Sequence, residues 1–430
     1  MSLGLRLRAK LAFPSLEPEP FIQLVEQWIH HKYGQMSPRT RRGFMDEFPT
    51  LFCHLHPAAE EIELSLISPQ HLVASANTST VGPGYHAFLT SFLKEWAQEF
   101  HATWEPADES SIDYGDDTGY FFSADEERLC REMTAWLRAL AGSFFEGSIP
   151  ADAPGVALCM PMDVQFESEH MAITPLGPRD RDWLYEIAHG ADVGSNFFAW
   201  RKIGFNADYH LGRALAHMWS NVRWRPPVGE SERNVLRDVS ESLRSSYRLD
   251  PTLHYPWAEW KQILEFLDAD REEIGLVNAH VSEPSAIGYR RRSVRVILPG
   301  GWRMRIPGSF SEFEAGQEGD YYAIDPPREI WFTSFRFSAD SPSATFESGR
   351  QQIKADFTDH LLEGDDFVAG AKIQQKQRDS GEKYYVLSSS NIAPSQRAVC
   401  TILFSEPEQE KWALDTWRSI QAPPELDSSS

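Results

Sequence analysis

The chain has 430 residues, 41 % of them apolar and 24 % charged, which is the composition of a folded globular protein too long for one ordinary hydrophobic core. Lys and Arg number 41 against 63 Asp and Glu, a formal net charge of -22. Such a polyanion repels phosphate backbones and anionic headgroups, so no nucleic acid and no membrane is expected as a partner; a basic protein is the partner that charge favours. Cys53, Cys130, Cys159 and Cys400 are widely spaced without a CxxC, which reads as reduced thiols in a cytoplasmic protein. Arg6, Arg8 and Lys10 are followed only by Leu11, Ala12 and Phe13 before Pro14, too short for the apolar core of a signal peptide. No apolar run reaches the roughly 18 residues of a membrane span.

The elements follow in chain order. Phe21, Leu24, Val25, Trp28 and Ile29 fall at helical spacing, and Ser37-Pro38 has the form of a helix start, so 1–60 reads as a helical N-terminal segment. Ile62, Leu64 and Leu66 then alternate with polar residues, as in a strand. Gly82-Pro83-Gly84 breaks the chain before a helix carrying Phe88, Phe92, Trp96 and Phe100. Gly119 to Phe122 reads as a short strand, and Ser123 with Glu126 as a capping box for a helix bearing Leu129, Met133, Trp136, Leu137 and Leu140. The order strand, helix, strand, helix predicts a small α/β unit over 61–150. Region 151–280 reads as mixed but mostly helical, with strong helices near 207–222, 229–247 and 256–268.

After the turn residues at 281–285 the style changes to β. Val294, Val296 and Leu298 alternate, Pro299-Gly300-Gly301 turns, and Trp302, Met304 and Ile306 alternate again. Short β runs follow at 330–332, 335–337, 384–387 and 398–404, with helices near 345–361 and 408–420. This last third, with its GGWRMRIPGSF stretch at Gly300 to Phe310, central helix, late strand pair and closing helix, resembles the Mog1/PsbP-like α/β sandwich. The resemblance implies a sandwich over 288–421, a fold used in protein-binding roles that include chaperones for secreted effectors. Residues 422–430 read as a disordered tail. The expected class is therefore α+β: a mixed α/β and helical N-terminal body plus the C-terminal sandwich.

No catalytic signature stands out, and neither a metal nor a cofactor is expected. From Glu95 to Glu127 there are eleven acidic residues and no Lys or Arg, interleaved with Trp104, Tyr114, Tyr120 and Phe121. Acidic groups around aromatic anchors are what a basic protein surface needs, so Glu105, Asp108, Glu109, Asp113, Tyr114, Asp116, Asp117 and Tyr120 are the candidate partner-binding residues. The same stretch fails the calcium-loop frame, because Thr118 stands where glycine is required.

Cys53-His54-Leu55-His56 lacks the second pair of a zinc site and reads as a buried thiol beside surface histidines. His86, just after the GPG turn, and His210 and His217, seven residues apart and near Asp208, are the groups on which a hydrolase would have to be built. Tyr289-Arg290-Arg291-Arg292 with Arg295, Arg303 and Arg305 forms a basic island expected to pair with acidic segments of the chain itself. In character, an acidic, aromatic-rich chain without catalytic motifs is similar to immunity proteins of bacterial toxins. Neutralising a toxin is therefore the leading expectation, with an effector chaperone or adaptor, then a hydrolase, as alternatives.

Overall fold

The computed structural model describes residues 2–12, 17–106, 114–145, 156–157, 164–166, 172–190, 196–282, 286–314, 320–337, 342–364 and 366–423. The protein is α+β, and its sheets are almost wholly antiparallel. It divides into two compact units. The first comprises Met1–Pro161, Ser168–Val222 and Asn234–Gly288; the second comprises Met162–Glu167, Arg223–Arg233 and Tyr289–Ser430.

The first unit is built on a seven-stranded sheet in the order Arg39–Met45, Phe48–His54, Ile62–Ser68, His71–Asn77, Gly4–Leu11 and Ala102–Trp104, with Gly115–Asp116 also pairing to Gly4–Leu11. Alternation decides its faces. Leu5, Leu7, Leu51, Leu64 and Leu72 point to one side, where helices Pro18–Lys32 and Pro83–Glu99 cover them with Val25, Ile29, Phe92 and Trp96. The other side carries Arg6, Arg8, Glu63, Ser65 and Ser75.

Among its described residues, segment 1–60, expected to be helical, holds one α-helix and contributes three strands. Ser37, read as a helix cap, takes a left-handed φ of 50° and hands the chain to a strand. The hairpin Arg39–Met45/Phe48–His54 gains its partner from Ile62–Ser68, a pairing that local spacing does not reveal. Tyr120–Ser123, expected to be a strand, is a helical turn. The following helix, Glu126–Ser143, is capped by Asp125, whose carboxylate accepts from the Arg128 N–H at 2.9 Å, rather than by Ser123. Gly82 has φ 112°, and a Cβ there would stand 2.7 Å from Phe198, so only glycine opens the Pro83–Glu99 helix in this way.

The helices Ala207–Ser220, Glu230–Leu249 and Trp257–Phe266 form where helical periodicity places them, and Arg271–Asn278 adds a further one. Gly212 lets the first of these approach closely: a Cβ there would lie 1.9 Å from the Ala199 carbonyl oxygen.

The second unit has a seven-stranded antiparallel sheet in the order Ser311–Glu314, Asp320–Asp325, Arg328–Arg336, Gln396–Phe404, Lys383–Ala393, Phe367–Gln377 and His360–Gly364. A three-stranded sheet joins Arg303–Pro307 and Ser293–Ile297 to Val164–Phe166. Val164 and Phe166, whose alternation reads as a strand within the mixed, mostly helical 151–280 region, do form one; its partner Ser293–Ile297 is far along the chain, beyond any local pattern. Val294, Val296, Trp302 and Met304 share one core with Phe332, Cys400, Ile402, Phe404 and the Trp417 ring of helix Glu410–Arg418. Among the described residues no helix is long and apolar enough to cross a membrane.

Candidate functional site

Strand pairing brings one row of side chains across the outer face of the first sheet. Phe52 stands opposite Glu63, Glu63 opposite Ser75, Ser75 opposite Arg6, and Arg6 opposite Gly115. Beside this row lies a cleft of about 410 Å³, lined among others by Arg6, Glu60, Glu61, Glu63, Asn77, Tyr114, Asp116 and Asp117. Three of the predicted residues, Tyr114, Asp116 and Asp117, therefore meet a second acidic group, Glu60, Glu61 and Glu63, from another stretch of chain. Sequence reasoning missed that group because Glu61 and Glu63 look like the ordinary polar face of a strand.

The cleft is under electrostatic tension. Burial, with the charge of Glu61 next, raises the Glu63 pKa above the ordinary carboxylate value. Glu61 is held by Arg41 at 2.6 Å, and the Arg41 guanidinium stacks on Phe52 at 3.7 Å. Tyr114 has the Arg6 and Arg8 guanidinium groups each 5.4 Å from its ring. Glu105 does not line the cleft but pairs with Arg8. Asp117 accepts from the Gly4 N–H at 2.8 Å. Tyr120 packs beside His86, with ring centroids 6.1 Å apart. Asp108, Glu109 and Asp113 lie outside the described residues.

Asp116 also reaches inward. The Thr78 hydroxyl and His86 Nδ1 are 2.8 Å apart, and His86 Nε2 faces both Thr118 Oγ1 at 3.1 Å and Asp116 Oδ1 at 3.3 Å. The Thr118 hydroxyl and N–H each donate to Asp116 Oδ1 at 2.8 Å, and the Phe121 N–H donates to Oδ2 at 2.6 Å. Burial pushes the Asp116 carboxyl up, but the hydrogen bond and charge of His86, with the Phe121 and Thr118 bonds, outweigh it and hold the pKa near about 2. His86 is 0 % exposed and both ring nitrogens are engaged. This arrangement ties strand, helix start and loop together and gives His86 no face for a substrate.

The other histidine candidates are not brought together with Asp208. Asp208 pairs with Lys202 at 2.6 Å rather than orienting a histidine. His210 is partly buried, which lowers its pKa, with the Arg213 charge adding to the effect. His217 is buried, as is Cys53, whose thiol burial pushes up to about 12. His54 and His56, expected at the surface, are buried at their ring nitrogens, because the strand end and the loop after it fold beneath helix Ala207–Ser220. Among the described residues no group of three or more His, Cys, Asp or Glu is arranged to hold a metal ion.

Of the basic island, Arg290 joins an ion-pair network of the second unit whose other arginines are Arg223, Arg225 and Arg328. Arg290 and Arg223 share Glu312, at 3.2 and 2.9 Å. Arg225 forms a two-pronged pair with Glu232 at 2.8 and 3.0 Å and reaches Asp325 at 3.2 Å, where Arg328 also pairs. Burial first, and the neighbouring Arg290 charge second, lower the Arg223 pKa to about 10, so it stays charged at neutral pH.

No protein-family model matches the sequence, and no curated protein does. Among solved structures, the chain is similar to a crystal structure from Bacteroides thetaiotaomicron VPI-5482, with 18 % identity and a TM-score of 0.25, over 30 % of this chain and 48 % of that one. It spans about half of that protein's length. It is also similar to the solution structure of the cyanobacterial PsbP (CyanoP) of Synechocystis sp. PCC 6803, with 10 % identity and a TM-score of 0.16, over 28 % of this chain and 86 % of that one. Likeness at this level bears on neither site nor activity.

Proposed function

We propose that the protein is a non-enzymatic binding protein whose acidic cleft captures a cationic segment of a protein partner, in the manner of an immunity protein that neutralises a toxin. One observation carries this reading: Glu60, Glu61 and Glu63 meet Asp117 at a single cleft from separate parts of the chain. Burial first and the Glu61 charge next raise the Glu63 pKa against the opposing Arg41 and Arg6 charges, so an incoming Lys or Arg adds a further cation that favours this carboxylate. With His86 sealed, the cleft offers no acid–base pair, and occlusion rather than chemistry is its use. The test is capture of partners by the full-length protein across a salt series, read by mass spectrometry. A stoichiometric basic partner, released as salt rises and lost in Glu60→Lys/Glu61→Lys, supports the reading. Capture that ignores both salt and these substitutions overturns it.

A second reading, an adaptor or chaperone working through the C-terminal unit, rests on a different surface. On the outer face of its large sheet Phe313, Tyr322 and Trp331 stand side by side in register, with ring centroids 5.9 and 4.1 Å apart. Trp331 is 43 % and Phe335 56 % exposed. An exposed aromatic row of this kind is a docking feature. Partner capture that survives the Glu60/Glu61 reversals but fails in Trp331→Ser/Phe335→Ser assigns function to this face.

A further inference from the structure

His86 does not line the acidic cleft, yet the segments that do are joined through it. The cleft is lined from four stretches of chain, 2–6, 60–63, 75–77 and 114–117. The last of these is held to the sheet by only two paired residues, Gly115 and Asp116. So short a strand gives little pairing of its own, and other bonds must fix this wall. The Gly4 N–H donates to Asp117 Oδ2 at 2.8 Å, and the Asp117 N–H to the Gly4 carbonyl at 3.2 Å. The Leu3 carbonyl accepts from the Thr78 and Ser79 N–H groups, each at 3.0 Å.

From Thr78 the path turns inward. The Thr78 hydroxyl lies 2.8 Å from His86 Nδ1, and His86 Nε2 reaches Thr118 Oγ1 at 3.1 Å and Asp116 Oδ1 at 3.3 Å. Asp116 and Asp117 are neighbours in the chain, as are Leu3 and Gly4, so the path closes on itself. The Thr118 hydroxyl gives its one proton to Asp116 Oδ1 and receives the Tyr120 N–H at 3.2 Å. Its remaining lone pair can only accept, so His86 Nε2 carries a proton. Thr78, His86 and Thr118 are fully buried, and so is the Asp116 side chain at 1 % exposure. Each bond lost here leaves a buried polar group unsatisfied.

We infer that His86 is a positioning residue of the acidic cleft. Without touching a ligand, it locks stretches 2–6, 75–77 and 114–117 together, so that Tyr114 and Asp117 stand across from Glu60, Glu61 and Glu63. The inference rests on the reading of that cleft as the binding site. Imidazole suits the place because its two ring nitrogens bond in diverging directions from one rigid plane, here to Thr78 on one side and Thr118 on the other. The histidine after the GPG turn thus serves binding by holding the walls of the cleft.

The test is hydrogen exchange of the full chain, read at single amides, beside titration with hexalysine at low salt. His86→Leu keeps the bulk and removes both nitrogens. In it the Gly4, Thr78, Asp117 and Phe121 amides should exchange about tenfold faster or more, while those inside helix Ala207–Ser220 keep their protection. Hexalysine affinity should fall several-fold, toward that of Glu60→Lys/Glu61→Lys, although no lining residue has changed. His86→Gln, which offers a donor toward Thr118, should recover part of both losses. Thr118→Val opens the same circuit at another link and replaces His86→Leu if that variant does not fold. Exchange unchanged at those amides, or raised equally throughout the unit, overturns the inference, as does hexalysine affinity that is kept while exchange rises. Absence of hexalysine binding to the wild type would instead sink the reading of the cleft as a cation site, and the exchange pattern then decides by itself whether His86 holds the walls.

Discussion

His54, His56 and His217 of the first unit and Arg223, Arg225 and Arg290 of the second are all largely withdrawn from water, but they get there by opposite routes. The histidines are held neutral: burial, followed by neighbouring cations, depresses their pKa values, that of His54 to about 3. The arginines are held charged: Glu312, Glu232 and Asp325 lie within ion-pair distance, and Arg223, even lowered to about 10, keeps its proton at neutral pH. The difference follows from the side chains. Imidazole sheds its proton at modest cost, while guanidinium does not, so it enters a core only with carboxylates around it. The first unit is thus exposed to acid, and the second to loss of a counter-ion.

The largest effect is expected from breaking the second arrangement. Glu312→Gln leaves Arg223 and Arg290 buried without their shared carboxylate and should cost about 3–5 kcal/mol in urea unfolding. A loss below about 1 kcal/mol would mean that the network is screened like a surface pair. Acid should break the first arrangement next. Because the histidine pKa values are depressed in the folded state, their neutral form costs nothing above pH about 6.5, where the unfolded chain is also neutral. Below it the unfolded chain takes up protons that the native state refuses, so stability falls as pH drops toward about 3, by on the order of a few kcal/mol. The check is denaturant midpoint against pH; a flat profile between pH 6.5 and 4 contradicts the buried neutral histidines.

Asp116 sharpens the comparison, since it is a buried anion in the first unit. Its depressed pKa contributes stability that is present above pH about 4 and lost as pH falls through about 2. Asp116→Asn keeps the shape but not the charge facing His86, and a cost of about 1–3 kcal/mol is expected in chemical denaturation. The smallest stability effect belongs to the cleft rim: Glu60→Lys, at an exposed position, should change unfolding free energy by less than about 0.5 kcal/mol while weakening capture of a basic partner. A large loss of stability there would make Glu60 a structural residue instead.

Local pattern was enough for much of this molecule. The helices with clear apolar spacing, such as Ala207–Ser220 and Glu230–Leu249, form where periodicity puts them, as do the alternating strands around Val294 and Met304. The α+β class follows from that change of period along the chain. Tyr114, Asp116 and Asp117 were legible as part of an acidic, aromatic stretch, and they do line the cleft. Only the tertiary structure could add Glu60, Glu61 and Glu63, because strand register, which depends on pairing between segments far apart, is absent from local spacing. The same holds for the Arg39–Met45 hairpin and for Val164–Phe166, whose partners are non-local.

The side chains alone set which groups could carry charge: the acidic excess, the arginine cluster, the histidines near Cys53 and Asp208. Which of these stay charged, which give up their protons and which meet at one point was decided by burial. Burial is a property of the packed units, since the cost of removing a charge from water depends on every neighbour that replaces it.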